Sequence, residues 1–267
     1  MNSPSNRLHR PVGIFDAGIG SYAVVQLVRE RFPDQDILYL ADRASFPYGA
    51  KDKTALQHVI TSAIIRLRDM GAEVVLVASN APTITVLDEV KRVLDGPILG
   101  VYPPIKRAIA TSKTKSVGVL GVKSLVESNE LKRYINTENS GGAKVTTFNA
   151  SPLVDLVESG TFLTRPRVTI EMLRAFVSSI LIEHSDIDVF TLSSTHLPWL
   201  KQPLEAVFPE LRFLDPAEDV ISALAPHTTR GTGRTSCVVT ANDKYPFEEF
   251  ADILEKLNIP LIAELII

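Results

Sequence analysis

Two apolar runs in this 267-residue chain end in the same way: Val74 to Pro82 reads VVLVASNAP, and Phe190 to Pro198 reads FTLSSTHLP. Each delivers a serine, then polar or small residues, then a proline near a helix start. Hydroxyl, amide and imidazole groups at such places can bind a carboxylate, orient water or move protons. Ser79, Asn80, Ser194, Thr195 and His196 are therefore the first candidates. His9, His58, His184 and His227 fall in the tail, in helical stretches or in loops, where solvation explains them. For His196 itself a hydrogen bond to helix backbone competes with catalysis. Another run closes on Asp16, just before Ala17-Gly18-Ile19-Gly20; free N–H groups of a glycine-rich turn can cradle an anion there, and a turn-capping Asp fits equally. The dinucleotide fingerprint is absent, because Ala23 fills its third glycine position. Pro47-Tyr48-Gly49 is a turn that either aims a phenol at a cleft or packs it against the loop. Glu158, in Leu156-Val157-Glu158-Ser159-Gly160, reads most simply as a solvated residue ahead of a helix cap. No metal-ligand spacing, P-loop or GxSxG elbow occurs.

Holding these residues together requires a scaffold, and short β-branched runs supply one. They lie at Val12-Phe15, Ile37-Leu40, Val74-Val77, Ile98-Val101, Val117-Leu120, Val145-Phe148, Val189-Leu192, Arg212-Leu214 and Val238-Thr240. Runs of this kind suit strands buried on both faces, as parallel strands are. Stretches with helical spacing alternate with them: Ala55 to Met70, Thr83 to Leu94, Ser124 to Tyr134 and Arg167 to Ile182. The class is α/β with mainly parallel sheets. Ligands in such sheets bind at the carboxyl ends of the strands, where Asp16, Ser79 and Ser194 stand. Ser79 and Ser194 are about a domain's length apart, so the two echoing segments imply two similar lobes, with chance similarity of two buried strands as the alternative.

Composition narrows the partners. With 45% apolar and 22% charged residues and a formal charge of −3, the chain lacks the massed cations of a nucleic-acid surface, while a small anionic ligand remains compatible with a few local donors. A single cysteine, Cys237, excludes an internal disulfide and a cysteine-based zinc site; its place in a run marks it as a small buried hydrophobe. The opening stretch Met1 to Arg10 is polar, without the apolar centre of a signal peptide, and no apolar run reaches the roughly 18 residues that span a bilayer. The expected location is cytoplasmic, with no membrane partner.

Taken together, GIFDAGIG (13–20), ILYLADRASFPYGAK (37–51), EVVLVASNAPT (73–83), ILGVYPPIKRA (98–108), SVGVLG (116–121), LVESG (156–160), LSSTHLPWLK (192–201) and FLDPAEDV (213–220) resemble the cofactor-independent aspartate/glutamate racemase superfamily, and glutamate racemase most closely. The resemblance runs from about Val12 to Val220. It implies two pseudo-symmetric α/β lobes with the site between them, the first lobe from residues 1–100 plus 208–267 and the second from 101–207. It also implies a small carboxylate or amino-acid ligand, no cofactor and no metal; the family commonly forms dimers, which makes a homodimer the assembly to test. Residues after about Gly231 match nothing with an assignable role.

In that family two cysteines flank the substrate α-carbon, one removing its proton and the other returning one to the opposite face. The matching positions here are Ser79 and Ser194. Asp16, His196 and Glu158 match the acid/base helpers, whereas Ala17, Pro47, Tyr48, Gly49, Asn80, Ala81, Leu125 and Thr195 match positions lining the substrate pocket. The family's Asp-Ser is Asp16-Ala17 here, its Cys-Asn-Thr is Ser79-Asn80-Ala81, and its Thr-rich loop reads Val122-Lys123-Ser124-Leu125. Several hydroxyls have thus become apolar, which favours natural divergence over targeted exchange of two thiols. An alcohol is several pKa units weaker as an acid than a thiol near 8.5, and each unit is worth about 1.4 kcal/mol. Conventional racemisation is therefore expected to be weak or absent. Three readings follow: acid/base chemistry without thiols (an isomerase, or a related lyase or hydrolase), a non-catalytic binding or regulatory homologue, and a glutamate racemase whose cysteine pair became serine.

Overall fold

A computed structural model describes residues 8–266, so most of the polar opening stretch lies outside the described residues. Among the described residues ten strands form two sheets: β1 (Val12–Asp16), β2 (Ile37–Asp42), β3 (Val74–Val77), β4 (Ile98–Gly100), β5 (Ser116–Gly121), β6 (Lys144–Asn149), β7 (Val189–Ser193), β8 (Arg212–Leu214), β9 (Thr235–Thr240) and β10 (Ala263–Leu265). One sheet has the order β10-β9-β2-β1-β3-β4 and the other β6-β5-β7-β8. Every pairing is parallel. Parallel pairing explains the sequence pattern, since helices cover both faces and β1, β2, β3, β5 and β7 are buried at every residue.

The two sheets repeat one plan. Around β1 the order is β2-β1-β3-β4, and around β5 it is β6-β5-β7-β8. Thus β3 and β7, which deliver Ser79 and Ser194, occupy equivalent places. In each plan the chain leaves a central strand for one side and then returns to the other. The crevice at that reversal is where open α/β sheets bind ligands.

Three expectations change in detail. The lobe boundary drawn between 207 and 208 moves beyond Leu214, because β8 pairs with β7 through Val189–Arg212 and Phe190–Phe213. The helical stretch Thr83 to Leu94 is two helices, Asn80–Thr85 and Leu87–Val93, separated at Val86. The stretch Ser124 to Tyr134 likewise divides into Lys123–Val126 and Asn129–Glu138; the Ser128 hydroxyl caps the second by accepting from Leu131 N. The segment after Gly231 supplies β9, which joins β2 along six register pairs from Ile37–Thr235 to Asp42–Thr240. It also supplies the helix Phe247–Lys256 and the edge strand β10. Cys237, in β9, is buried and stands in register with Tyr39 of β2 and Ala263 of β10.

Candidate functional site

Asp16 is the last residue of β1 and Ser79 follows β3, its neighbour in the sheet. Ser79 has an extended backbone (φ −148°, ψ 124°) and stands where a helix cap would, yet its hydroxyl does not cap the helix. It lies near the Asp16 carboxylate instead and lowers its pKa. That carboxylate accepts from Ala17 N at 2.8 Å and from the Thr195 hydroxyl at 3.2 Å, the second bond crossing from one lobe to the other. Burial pushes the Asp16 pKa up to about 6, with the His196 charge and these three donors pulling it back.

His196 reaches the same place from the other lobe. It follows β7 and precedes the turn Leu197–Leu200, and its Nε2 lies 2.7 Å from Glu158 Oε2. Glu158 ends the helix Ser151–Glu158, and Gly160 beyond it adopts the left-handed φ of 68° that closes helices readily. Its carboxylate is not solvated. It faces His196, accepts from Ile19 N at 3.3 Å and pairs with the Arg43 guanidinium. Burial alone would raise the Glu158 pKa, but His196 and Arg43 together bring it down to about 2. Burial alone would lower the His196 pKa; the hydrogen bond and charge of Glu158 and the charge of Asp16 outweigh it, so the net shift is upward.

The glycines before the first helix permit this approach. A Cβ on Gly18 would sit 2.6 Å from His196 Nε2, and one on Gly20 would sit 2.6 Å from both the backbone N and Nδ1 of His196. The glycine-rich turn thus seats an imidazole from the opposite lobe, in place of the anion cradle considered from the sequence.

A cavity of about 240 Å³ lies between the lobes. Asp16, Ala17, Pro47, Tyr48, Gly49, Asn80 and Ala81 line it from one side, and Ser194, Thr195 and His196 from the other, with Ser79 beside Asp16. Tyr48 is buried with its hydroxyl donated to Asp42 at 3.0 Å, so its ring forms wall while its polar end belongs to the first lobe. Asn80 donates its amide nitrogen to Val101 O at 2.9 Å; its Oδ1 is buried without a partner among the described residues, as is Ser124 Oγ.

Leu125, expected at the pocket, is not there. It is fully buried in the core with Val119, Val126 and Leu131, because the short helix Lys123–Val126 turns Ser124 to the cavity and Leu125 away from it. Glu158 is not on the cavity wall either and acts on His196 from behind. Sequence reasoning missed Arg43, which is fully buried. Its only signal was its place in Asp42-Arg43 before the Pro-Tyr-Gly turn.

The chain is thus an α/β protein of two parallel sheets with an acid and a histidine presented to one cleft, and comparisons with known proteins specify its class further. The family model described as Asp/Glu/Hydantoin racemase matches residues 22–224, and the chain belongs to that family. It is 30% identical over 251 residues to the glutamate racemase of Ralstonia pickettii (strain 12J), covering 91% of this chain and 87% of that one. With the glutamate racemase of Syntrophus aciditrophicus (strain SB) it is 34% identical over 230 residues, covering 84% and 82%. Among solved structures, the Thermus thermophilus glutamate racemase in complex with β-chloro-D-alanine superposes with a TM-score of 0.75 at 28% identity, covering 96% of both chains. A Bacillus anthracis glutamate racemase isoform shares the fold, with a TM-score of 0.81 at 20% identity over 97% of this chain and 98% of that one. Among the described residues no helix is long and apolar enough to cross a membrane.

Proposed function

We propose that this protein binds a small carboxylate or amino acid between its lobes and acts on it by cofactor-independent acid/base chemistry, with Asp16 and His196 as the proton-transfer groups. The observation that carries this reading is that Asp16 and His196 reach one cavity from different lobes with their proton affinities tuned for opposite tasks. A carboxylate near 6 is ionised at neutral pH and basic enough to accept a proton. An imidazole held by an ionised Glu158 favours its protonated form and can donate one. Asn80 Oδ1 can only accept, so its open lone pairs suit a ligand ammonium; this favours an amino acid over a plain carboxylate. Ser79 and Ser194, at the positions matching the family's thiols, position ligand and carboxylate and do not serve as bases. Conventional glutamate racemisation is accordingly weak or absent.

The experiment is a thermal-shift screen of D- and L-amino acids and small mono- and dicarboxylates, with proton NMR in deuterium oxide on every ligand that binds. Binding at 100 times Kd adds about 2.7 kcal/mol. A stabilising ligand that exchanges a C–H proton or is converted supports the reading; a ligand that binds and stays unchanged leaves a binding protein in its place. Exchange at glutamate's α-carbon at an ordinary enzymatic rate would overturn the argument from alcohol acidity.

A further inference from the structure

Arg43 is the largest fully buried side chain among the described residues, and the segment without an assigned role is what encloses it. Its guanidinium carbon lies 4.8 Å from the ring centre of Phe46, 5.4 Å from that of Tyr245 and 6.0 Å from that of Phe250. Nη2 is 3.3 Å from the Glu249 carboxylate. Tyr245, Glu249 and Phe250 all belong to the C-terminal segment. Stacking and charge thus hold the planar guanidinium on the first lobe, with Nη1 aimed across the cleft at Glu158 Oε1. Glu158 presents its other oxygen to His196 Nε2. The carboxylate bridges a permanent cation on one side and a titratable ring on the other, and Asp16 is the remaining charged group acting on that ring.

Of the three groups in the chain Arg43–Glu158–His196, only Arg43 cannot give up its proton. With Oε1 committed to it, a proton placed on Glu158 would neutralise the acceptor and leave the buried guanidinium facing an uncharged group, which is costly. We propose that Arg43 is a positioning residue of this site: gripped by the C-terminal segment, it keeps Glu158 an acceptor only, so that the shared proton stays on His196 Nε2 and the ring exchanges protons through Nδ1. The exchange conserves protons, since what leaves Nδ1 goes to ligand or solvent while Nε2–H stays bonded to Glu158. The inference builds on the acid/base reading of the site, but its test uses the ligand-free protein and can succeed or fail on its own.

The measurement is nitrogen-15 NMR of histidine-labelled protein across a pH titration, with the His196 signals assigned by their loss in H196Q. The wild type should hold the Nε2–H tautomer once the ring is neutral; a dominant Nδ1–H tautomer overturns the proposal without any Arg43 variant. In R43Q, removing a nearby cation should raise the last titration of the Glu158–His196 pair by about half a pH unit or more and mix the tautomers, while R43K should retain the wild-type tautomer. If Arg43 merely packed Glu158 in place, R43Q would release the ring and its midpoint would fall towards 6.5; that result, or an R43Q spectrum identical to wild type, overturns the proposal. Should R43Q fail to fold, E249Q removes the Arg43 contact from a half-exposed position. Removing that anion leaves more of the Arg43 charge acting on the pair, so the last titration should fall, by less than R43Q would raise it, with the Nε2–H tautomer kept; an unchanged E249Q spectrum would then count against the proposal.

Discussion

Glu158 Oε2 and His196 Nε2 stand 2.7 Å apart, although one ends a helix and the other follows the strand delivering Ser194. Both groups are largely buried, and the carboxylate is shared with Arg43 of the opposite lobe. One buried anion therefore serves both the imidazole and the contact between lobes.

Replacing Glu158 by Gln should be costly. The amide leaves Arg43 buried with only Glu249 as an anionic partner, and breaking a buried pair in this way typically costs about 3–5 kcal/mol. The folded pKa of Glu158, about 2, lies below its unfolded value near 4.3. Its stabilisation is therefore complete above that value and lost as pH falls through 2. Urea melts of wild type and E158Q should differ most at pH 7 and converge towards pH 2.

Asp16 acts with the opposite sign. Its folded pKa of about 6 lies above the unfolded value near 3.9, so the folded state prefers the neutral acid and stability falls as pH rises from about 4 to 6. D16N should be more stable than wild type at pH 8, by up to about 3 kcal/mol, with the difference vanishing near pH 4. The same variant should lose ligand conversion. Paired urea melts at the two pH values, with the NMR assay on the confirmed ligand, check both.

Gly20→Ala places a methyl group 2.6 Å from the His196 backbone and ring. Overpacking of this kind costs about 1–3 kcal/mol, and the displaced ring should abolish the thermal shift given by any ligand found. Gly141→Ala meets nothing within 4 Å and should stay within about 0.5 kcal/mol of wild type. A calorimetric comparison of the two alanines separates the collision from the general effect of removing a glycine.

If Ser79 and Ser194 hold the places of a thiol pair, S79C/S194C should gain exchange of glutamate's α-proton with deuterium oxide. General-base assistance of this kind is worth about 10²–10⁴-fold. Each single variant should favour one hand of glutamate, because each has a base on one face only. A double variant as inert as wild type would mean that the apolar departures at Ala17 and Ala81 have already removed the glutamate site.

Strands β1, β2, β3, β5 and β7 were legible because both of their faces are buried, which leaves a nearly unbroken apolar run in the sequence. Edge elements were harder. Strand β6 is half-exposed and begins with Lys144, so its run Val145-Phe148 is interrupted by two threonines, and β10, three residues at the end of a sheet, carries no run at all. Strand β8 was legible as a strand and misplaced as to lobe, because pairing depends on a partner elsewhere in the chain and not on the strand's own residues.

Asp16, Ser79, Ser194 and His196 could be singled out from sequence because they stand at or just beyond strand ends, where side chains of a parallel sheet reach the ligand face. The rotation of Leu125 into the core was decided by a single turn of helix, and a shift of one residue there exchanges it for Ser124. The role of Arg43 was decided by residues distant in sequence: Glu158 across the cleft and Tyr245, Glu249 and Phe250 in the C-terminal segment. Periodicity and strand-end position are local properties that a sequence carries openly. The direction of a buried charge, and the proton affinities it imposes, arise only when folding removes water and brings remote groups within a few ångströms.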